Sequence, residues 1–150
     1  MAYVENADKD EGQCIFCAHL DEPDEQALIL TRGKRAFALM NAFPYNTGHV
    51  MVAPLRHAGD LIDLDDDERN ELMSLTATTE AAIRAAMAPE GFNVGINLGR
   101  VAGAGVPGHV HVHVVPRWAG DTNFMSTVGD AKVLPEALED TYNKLRPHFA

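Results

Sequence analysis

The stretch Gly108-His109-Val110-His111-Val112-His113-Val114-Val115-Pro116-Arg117-Trp118 sets three histidines at every second position, with valines between them. Successive side chains of a strand point to opposite sides, and alternate residues stand about 6.6 Å apart. The spacing therefore predicts a strand with Val110, Val112 and Val114 toward a core and His109, His111 and His113 in a row on the other face. An ordinary half-exposed strand is served better by Thr, Lys or Ser than by three imidazoles that titrate near neutrality. Three kinds of chemistry use such a row. A metal site built from all three histidines needs a bent or widened backbone, because each nitrogen must come within about 2.1 Å of one ion. General acid–base work is the second. Nucleophilic catalysis, in which a neutral imidazole attacks phosphorus or a carbonyl, is the third and suits His111 best. That residue has a histidine on either side and backbone carbonyls nearby to hold its far nitrogen as the donor tautomer. His113 is then placed to donate to a phosphate oxygen or to the departing group.

The 150 residues suit one domain with its own core, and a mix of 46% hydrophobic and 23% charged residues is that of a globular protein. Residues 1–12 show no periodicity and are expected to form a flexible tail ahead of a single domain over 13–150. No apolar run reaches the length needed to span a bilayer, and the polar, acidic start lacks the pattern of a signal peptide, so a cytoplasmic setting without membrane contact is expected. The net charge of −10 argues against gripping a nucleic-acid polymer. A small anionic ligand remains compatible, since it needs only a local cluster of positive or N–H groups.

Along the chain, Cys14-Ile-Phe-Cys17 is too tight for a loop-stapling disulfide, and its surroundings fit half of a tetrahedral metal site better than a redox motif. His19 is the local candidate for a further ligand. Ala27–Leu30 and Arg35–Met40 read as a hairpin closed by Gly33, and His49–Ala53 as a third strand that stops at Pro54. His49 itself reads as structural. Asp65 with Glu68 three residues later marks a capped helix start, and Leu72, Leu75, Thr79, Ile83 and Ala86 keep helical spacing to about Met87. Phe92–Leu98 alternates as a strand. The glycines of Gly99–Gly108, Gly105 among them, make a candidate phosphate cradle that feeds into the histidine row. Trp118 is a weaker candidate, for stacking on a base or anchoring a second subunit. A final helix begins at Pro135, with Leu134, Leu138, Tyr142 and Leu145 on one stripe. The order of elements predicts an α+β domain: an antiparallel sheet of about five strands with one long helix and one C-terminal helix.

The run His109-Val110-His111-Val112-His113-Val114-Val115 resembles the motif His-φ-His-φ-His-φ-φ, φ being apolar, that defines the histidine triad family. The likeness extends to Phe37–Asn41, Pro44–Pro54 and Arg56-His57, covering about residues 14 to 125. Arg117-Trp118-Ala-Gly-Asp121-Thr-Asn-Phe124 is most similar to the branch of diadenosine tetraphosphate phosphorylases and related hydrolases. The resemblance implies cleavage of a nucleotide at its α-phosphate through a nucleotidyl-histidine, with His111 as nucleophile and water or phosphate as acceptor. It assigns Asn41 to a ribose and Asn97 to the phosphate or ribose side of the substrate. It also implies a structural zinc held by Cys14, Cys17, His57 and His109, with His19 as the local alternative, and a symmetric homodimer. The chain departs from the family pattern where a Gln-Ser/Thr pair precedes the triad, for Gly105 and Val106 stand there and offer no hydroxyl. Phosphoramidate hydrolysis through the same intermediate, or a nucleotide-binding zinc module without turnover, are the competing expectations.

Overall fold

The structure, a computed structural model, describes residues 14–121 and 136–149. The expected tail, the Thr122–Phe124 part of the loop beyond Trp118, Leu134 and Pro135 lie outside the described residues. Two short helices, α1 (Ile15–Leu20) and α2 (Asp24–Ala27), precede β1 (Ile29–Arg32), β2 (Ala36–Met40) and β3 (Val50–Pro54). A long helix α3 (Asp66–Met87), β4 (Gly91–Ile96), β5 (Val112–Arg117) and α4 (Leu138–Leu145) follow. The five strands form one antiparallel sheet in the order β1-β2-β3-β5-β4. The predicted α+β architecture is the one found.

Helix α3 starts where the capping box places it: the Asp65 carboxylate accepts from the Glu68 N–H at 2.8 Å, and Glu68 returns the bond to the Asp65 N–H at 2.9 Å. Leu72, Thr79 and Ile83 of its stripe are buried, while Leu75 and Ala86 pack at the margin. This stripe and Tyr142 and Leu145 of α4 cover Ala36, Ala38, Met40, Val50, Val52, Val112 and Val114 on one face of the sheet. Burial of such side chains supplies most of the folding free energy, about 25 cal/mol per Å² of apolar surface. The first strand begins two residues later than the hydrophobic pattern indicates. Asp24 and Glu25 favour a helical first turn there, Ala27 joins that turn, and Leu28 reverses the chain in the left-handed region at φ 58°.

The opposite face carries the histidines. Alternation puts Phe37 and Leu39 of β2, Met51 and Ala53 of β3 and His113 of β5 on it, with Met51 paired to His113 and Gly95 to His113 across the ladders. Helix α1 closes half of this face by inserting the fully buried Phe16 among Ile29, Phe37, Leu39 and Met51. Among the described residues β4 is the edge of the sheet, and Asn93 and Gly95, on the His113 side of it, are exposed.

Candidate active site and metal centre

The triad begins before the regular strand does. His109 and Val110 run in extended chain tied by the Val110 N–H to the Ala58 carbonyl at 2.7 Å, and β5 pairing starts at Val112. The row is also far less open than its sequence alone indicates. His109 is fully buried and His111 is 5% exposed, both against the Phe16 ring at centroid distances of 5.0 and 4.7 Å.

His111 Nδ1 lies 2.9 Å from the carbonyl oxygen of His109. A carbonyl only accepts, so Nδ1 carries the proton and Nε2 keeps its lone pair. Burial also pushes the imidazole pKa down, against the smaller opposing effect of that carbonyl, which keeps the ring neutral. A neutral imidazole with an unprotonated nitrogen is the state a nucleophile needs.

His49 is where the sequence reading falls short. Taken there as structural, it is buried with Nε2 2.9 Å from His113 Nδ1. Its tautomer follows from a chain of donors. The Tyr45 backbone N–H donates to His49 Nδ1 at 3.1 Å, so the proton of neutral His49 sits on Nε2 and is donated to His113 Nδ1. Neutral His113 then carries its own proton on Nε2. Burial, reinforced by the neighbouring histidines, lowers His49 to about 3 and His113 to about 4, so both are neutral near pH 7. The signal that could have found His49 is its parity with Met51 and Ala53, which puts it on the His113 side once β3 is paired to β5.

Asn41 follows β2 with its Oδ1 accepting from the Phe43 N–H at 2.8 Å, so it starts a turn. Its Nδ2, 3.5 Å from His49 Nε2, meets a protonated nitrogen there and makes no hydrogen bond with it. The expected glycine cradle is partly closed on itself: Ala102, Gly103 and Ala104 give their N–H groups to the carbonyls of Gly99 and Arg100. Gly105, half-buried, lies beyond these spent donors, and half-buried Asn97 borders Gly103. Trp118 is half-buried after β5, its backbone N–H on Asp121 at 3.0 Å.

The four atoms named for zinc converge. Cys14, Cys17, His57 and His109 each bring one ligand atom within 4.8 Å of all the others. Cys14 Sγ is 3.3 Å and Cys17 Sγ 3.7 Å from His109 Nδ1, Cys17 Sγ is 3.5 Å from His57 Nδ1, and the two Nδ1 atoms are 3.3 Å apart. A tetrahedral ion with bonds of about 2.0–2.3 Å has ligand–ligand edges of about 3.3–3.8 Å, so these four edges suit one zinc. His109 Nε2 donates to the Pro54 carbonyl at 2.8 Å, which leaves Nδ1 as the ligating nitrogen and holds the ring by an outer bond. His57 passes beside Gly108, where a Cβ would meet its ring at 3.4 Å. The segment carrying His57 is pinned by Arg56, whose guanidinium meets the buried Glu68 carboxylate at 2.7 and 3.0 Å and keeps Glu68 ionised with a pKa lowered to about 2. The two thiols come from one helix start, Cys14 being the N-cap of α1 and Cys17 its third residue. His19 is not part of the cluster; it pairs with Glu22 at 2.9 Å.

Comparison with known proteins agrees with this arrangement. The HIT domain family matches residues 22–120. An AP-4-A phosphorylase of Mycobacterium tuberculosis is 47% identical over 127 residues, which are 85% of this chain and 65% of that protein, so the match spans just under two thirds of the relative's length. An adenosine 5'-monophosphoramidase of Schizosaccharomyces pombe is 32% identical over 69% of this chain and 74% of its own. Among solved structures, a zinc-bound histidine triad family protein from Mycobacterium smegmatis superposes with a TM-score of 0.72 at 25% identity, covering 92% of this chain and 94% of that one.

Proposed function

The chain belongs to the histidine triad (HIT) domain family, and from that membership we propose that it is an enzyme that cleaves a dinucleoside polyphosphate such as diadenosine tetraphosphate at the α-phosphate. The single observation that carries the reading is the hydrogen bond from His111 Nδ1 to the His109 carbonyl, which leaves Nε2 unprotonated with its lone pair free. In the first step the Nε2 lone pair forms a bond to the α-phosphorus while the bridging P–O bond breaks and its electrons leave with the departing nucleotide. His113, protonated on Nε2 and backed by His49, gives a hydrogen bond to the oxygens that gain charge. In the second step an oxygen of water, which gives up a proton to solvent, or of phosphate bonds to phosphorus while the P–N bond breaks and its electrons return to Nε2, restoring neutral His111. Asn41, Asn97, the backbone of Gly105 and Trp118 are assigned to substrate. The missing hydroxyl before the triad leaves that contact to backbone donors and Asn97.

Zinc on Cys14, Cys17, His57 and His109 is part of the same proposal, and four protein ligands give it a structural role with no open position for chemistry. A cytoplasmic setting keeps both thiols reduced and available to it. For a homodimer, the outer edge of β4, which pairs with no further strand among the described residues, offers strand groups to a second copy.

The S. pombe relative's name favours one second reading, hydrolysis of a nucleoside phosphoramidate, which needs the same intermediate. The decisive test is mass spectrometry of an acid-labile nucleotidyl adduct after mixing with diadenosine tetraphosphate. The adduct is expected on the native protein and absent from His111→Asn, which loses turnover. Full turnover by His111→Asn overturns the mechanism. Products formed with and without phosphate decide the acceptor, and a phosphoramidate at equal concentration decides the leaving group.

A further inference from the structure

A large aromatic side chain stands mostly in solvent beside the triad: Tyr45 is 65% exposed. Tyr45 is nonetheless held in place. Its ring stacks on His113 with centroids 5.5 Å apart at 26° and lies 4.5 Å from the His49 ring, while its N–H is bonded to His49. The next residue, Asn46, is clamped by its Nδ2 to the Pro116 carbonyl at 3.1 Å and to Asp121 at 2.6 Å. An exposed aromatic held this firmly is a platform, because little conformational freedom is left to lose when a ring stacks on it.

Beside it runs a half-open recess of about 120 Å³, lined by Tyr45, Asn46, Asn93, Val115 and Arg117. That is less than a whole nucleotide requires and suits one planar ring system. The recess continues the face of β5 that bears His113, since Val115 and Arg117 are the next residues of the same parity. Val115 therefore stands about 6.6 Å from His113 and Arg117 about 13 Å. Its chemistry is that of a base site more than a phosphate site. Val115 gives an apolar floor and Tyr45 an aromatic wall, and the Arg117 guanidinium is neutralised by a two-point pair with Asp121 at 3.0 Å. Two amides, Asn46 and Asn93, stand at the rim.

In the proposed reaction His113 faces the oxygen of the departing group, so whatever leaves extends past His113 and away from His111. We propose that the recess beside Tyr45 is the subsite for the base of the leaving nucleotide, Tyr45 being the stacking platform that makes the enzyme prefer a substrate with two nucleosides over one with a bare polyphosphate tail. This rests on the function proposed above.

The test compares diadenosine tetraphosphate with adenosine 5'-tetraphosphate, which lacks the second base, on the full native chain, Tyr45→Ala and Tyr45→Phe. A base–aromatic stack lost to alanine lowers affinity about tenfold. The ratio of kcat/KM for the dinucleotide over the tetraphosphate is expected to fall about tenfold in Tyr45→Ala, chiefly through KM, and to return in Tyr45→Phe, which keeps the ring face. An equal loss on both substrates makes Tyr45 a mere support for His113 and overturns the subsite. Should the native chain cleave neither compound, the proposed reaction fails, and the subsite is judged on binding to His111→Asn by calorimetry. There, a dinucleotide advantage over the tetraphosphate that Tyr45→Ala abolishes supports it, and no such advantage overturns it.

Discussion

Acid sensitivity is written into the contact between His49 and His113. In an unfolded chain both titrate near 6.5, whereas burial in the fold lowers His49 to about 3 and His113 to about 4. The folded state thus binds fewer protons than the unfolded one across this interval, so the contribution to stability is complete above pH 6.5 and is lost as pH falls toward the folded values. Between pH 8 and pH 5, each ring removes about 2 kcal/mol from the unfolding free energy, and the pair, sharing one hydrogen bond, about 3–4 kcal/mol. The perturbation that isolates one ring is His49→Gln, which keeps a donor toward His113 but has nothing to titrate. Urea unfolding at pH 8, 7, 6 and 5 should show the native chain losing about 2 kcal/mol more than His49→Gln over the range, equivalent to about 6 °C in Tm for a chain of this size. The Cys–His cluster is the same in both proteins and cancels in the difference. Equal losses in the two proteins would refute the claim that His49 is held neutral by burial.

The cysteine pair and the helix cap give two further expectations. Cys14→Ser with Cys17→Ser should abolish bound zinc in elemental analysis and lower Tm by several degrees, since metal affinity is available only to the folded chain; cleavage by the folded fraction should persist. His19→Ala should keep the metal and His57→Ala should lose it, while reduced native protein purified without metal would sink the assignment. Asp65→Ala removes the acceptor for the Glu68 N–H at the start of α3. It should cost about 1 kcal/mol, seen as a lower urea midpoint at unchanged m-value, and an unchanged midpoint would mean that the cap contributes nothing.

What the chain discloses locally and what it conceals divide along sequence distance. The alternation His109-His111-His113 and the Asp65–Glu68 box depend on neighbours two or three residues apart, and both read correctly. His49 does not, because its meaning comes from a register, Met51 against His113, between strands far apart in the chain. Phe16 is similar: an apolar residue between two cysteines becomes the ring packed on His109 and His111 only when α1 folds over the sheet. The glycine loop misled in the other direction. Its composition signals free N–H groups, yet Ala102, Gly103 and Ala104 spend theirs within a tight turn. The β1 boundary slipped because Asp24 and Glu25 favour a helical turn that hydrophobic pattern alone cannot see.

One peptide unit serves two masters here. The His109 side chain turns toward the cysteines, while its carbonyl orients the ring of His111. Side-chain replacement reaches only the first of these roles, because every amino acid brings the same carbonyl. A mutational scan at this position will therefore score the proposed metal ligand and remain blind to the anchor of the proposed nucleophile. Selection is under the same restriction: the anchor cannot be lost by a point substitution at 109, only by shifting the backbone that carries it. Replacing the side chain that faces Cys14 and Cys17 thus leaves the proton on His111 where it is.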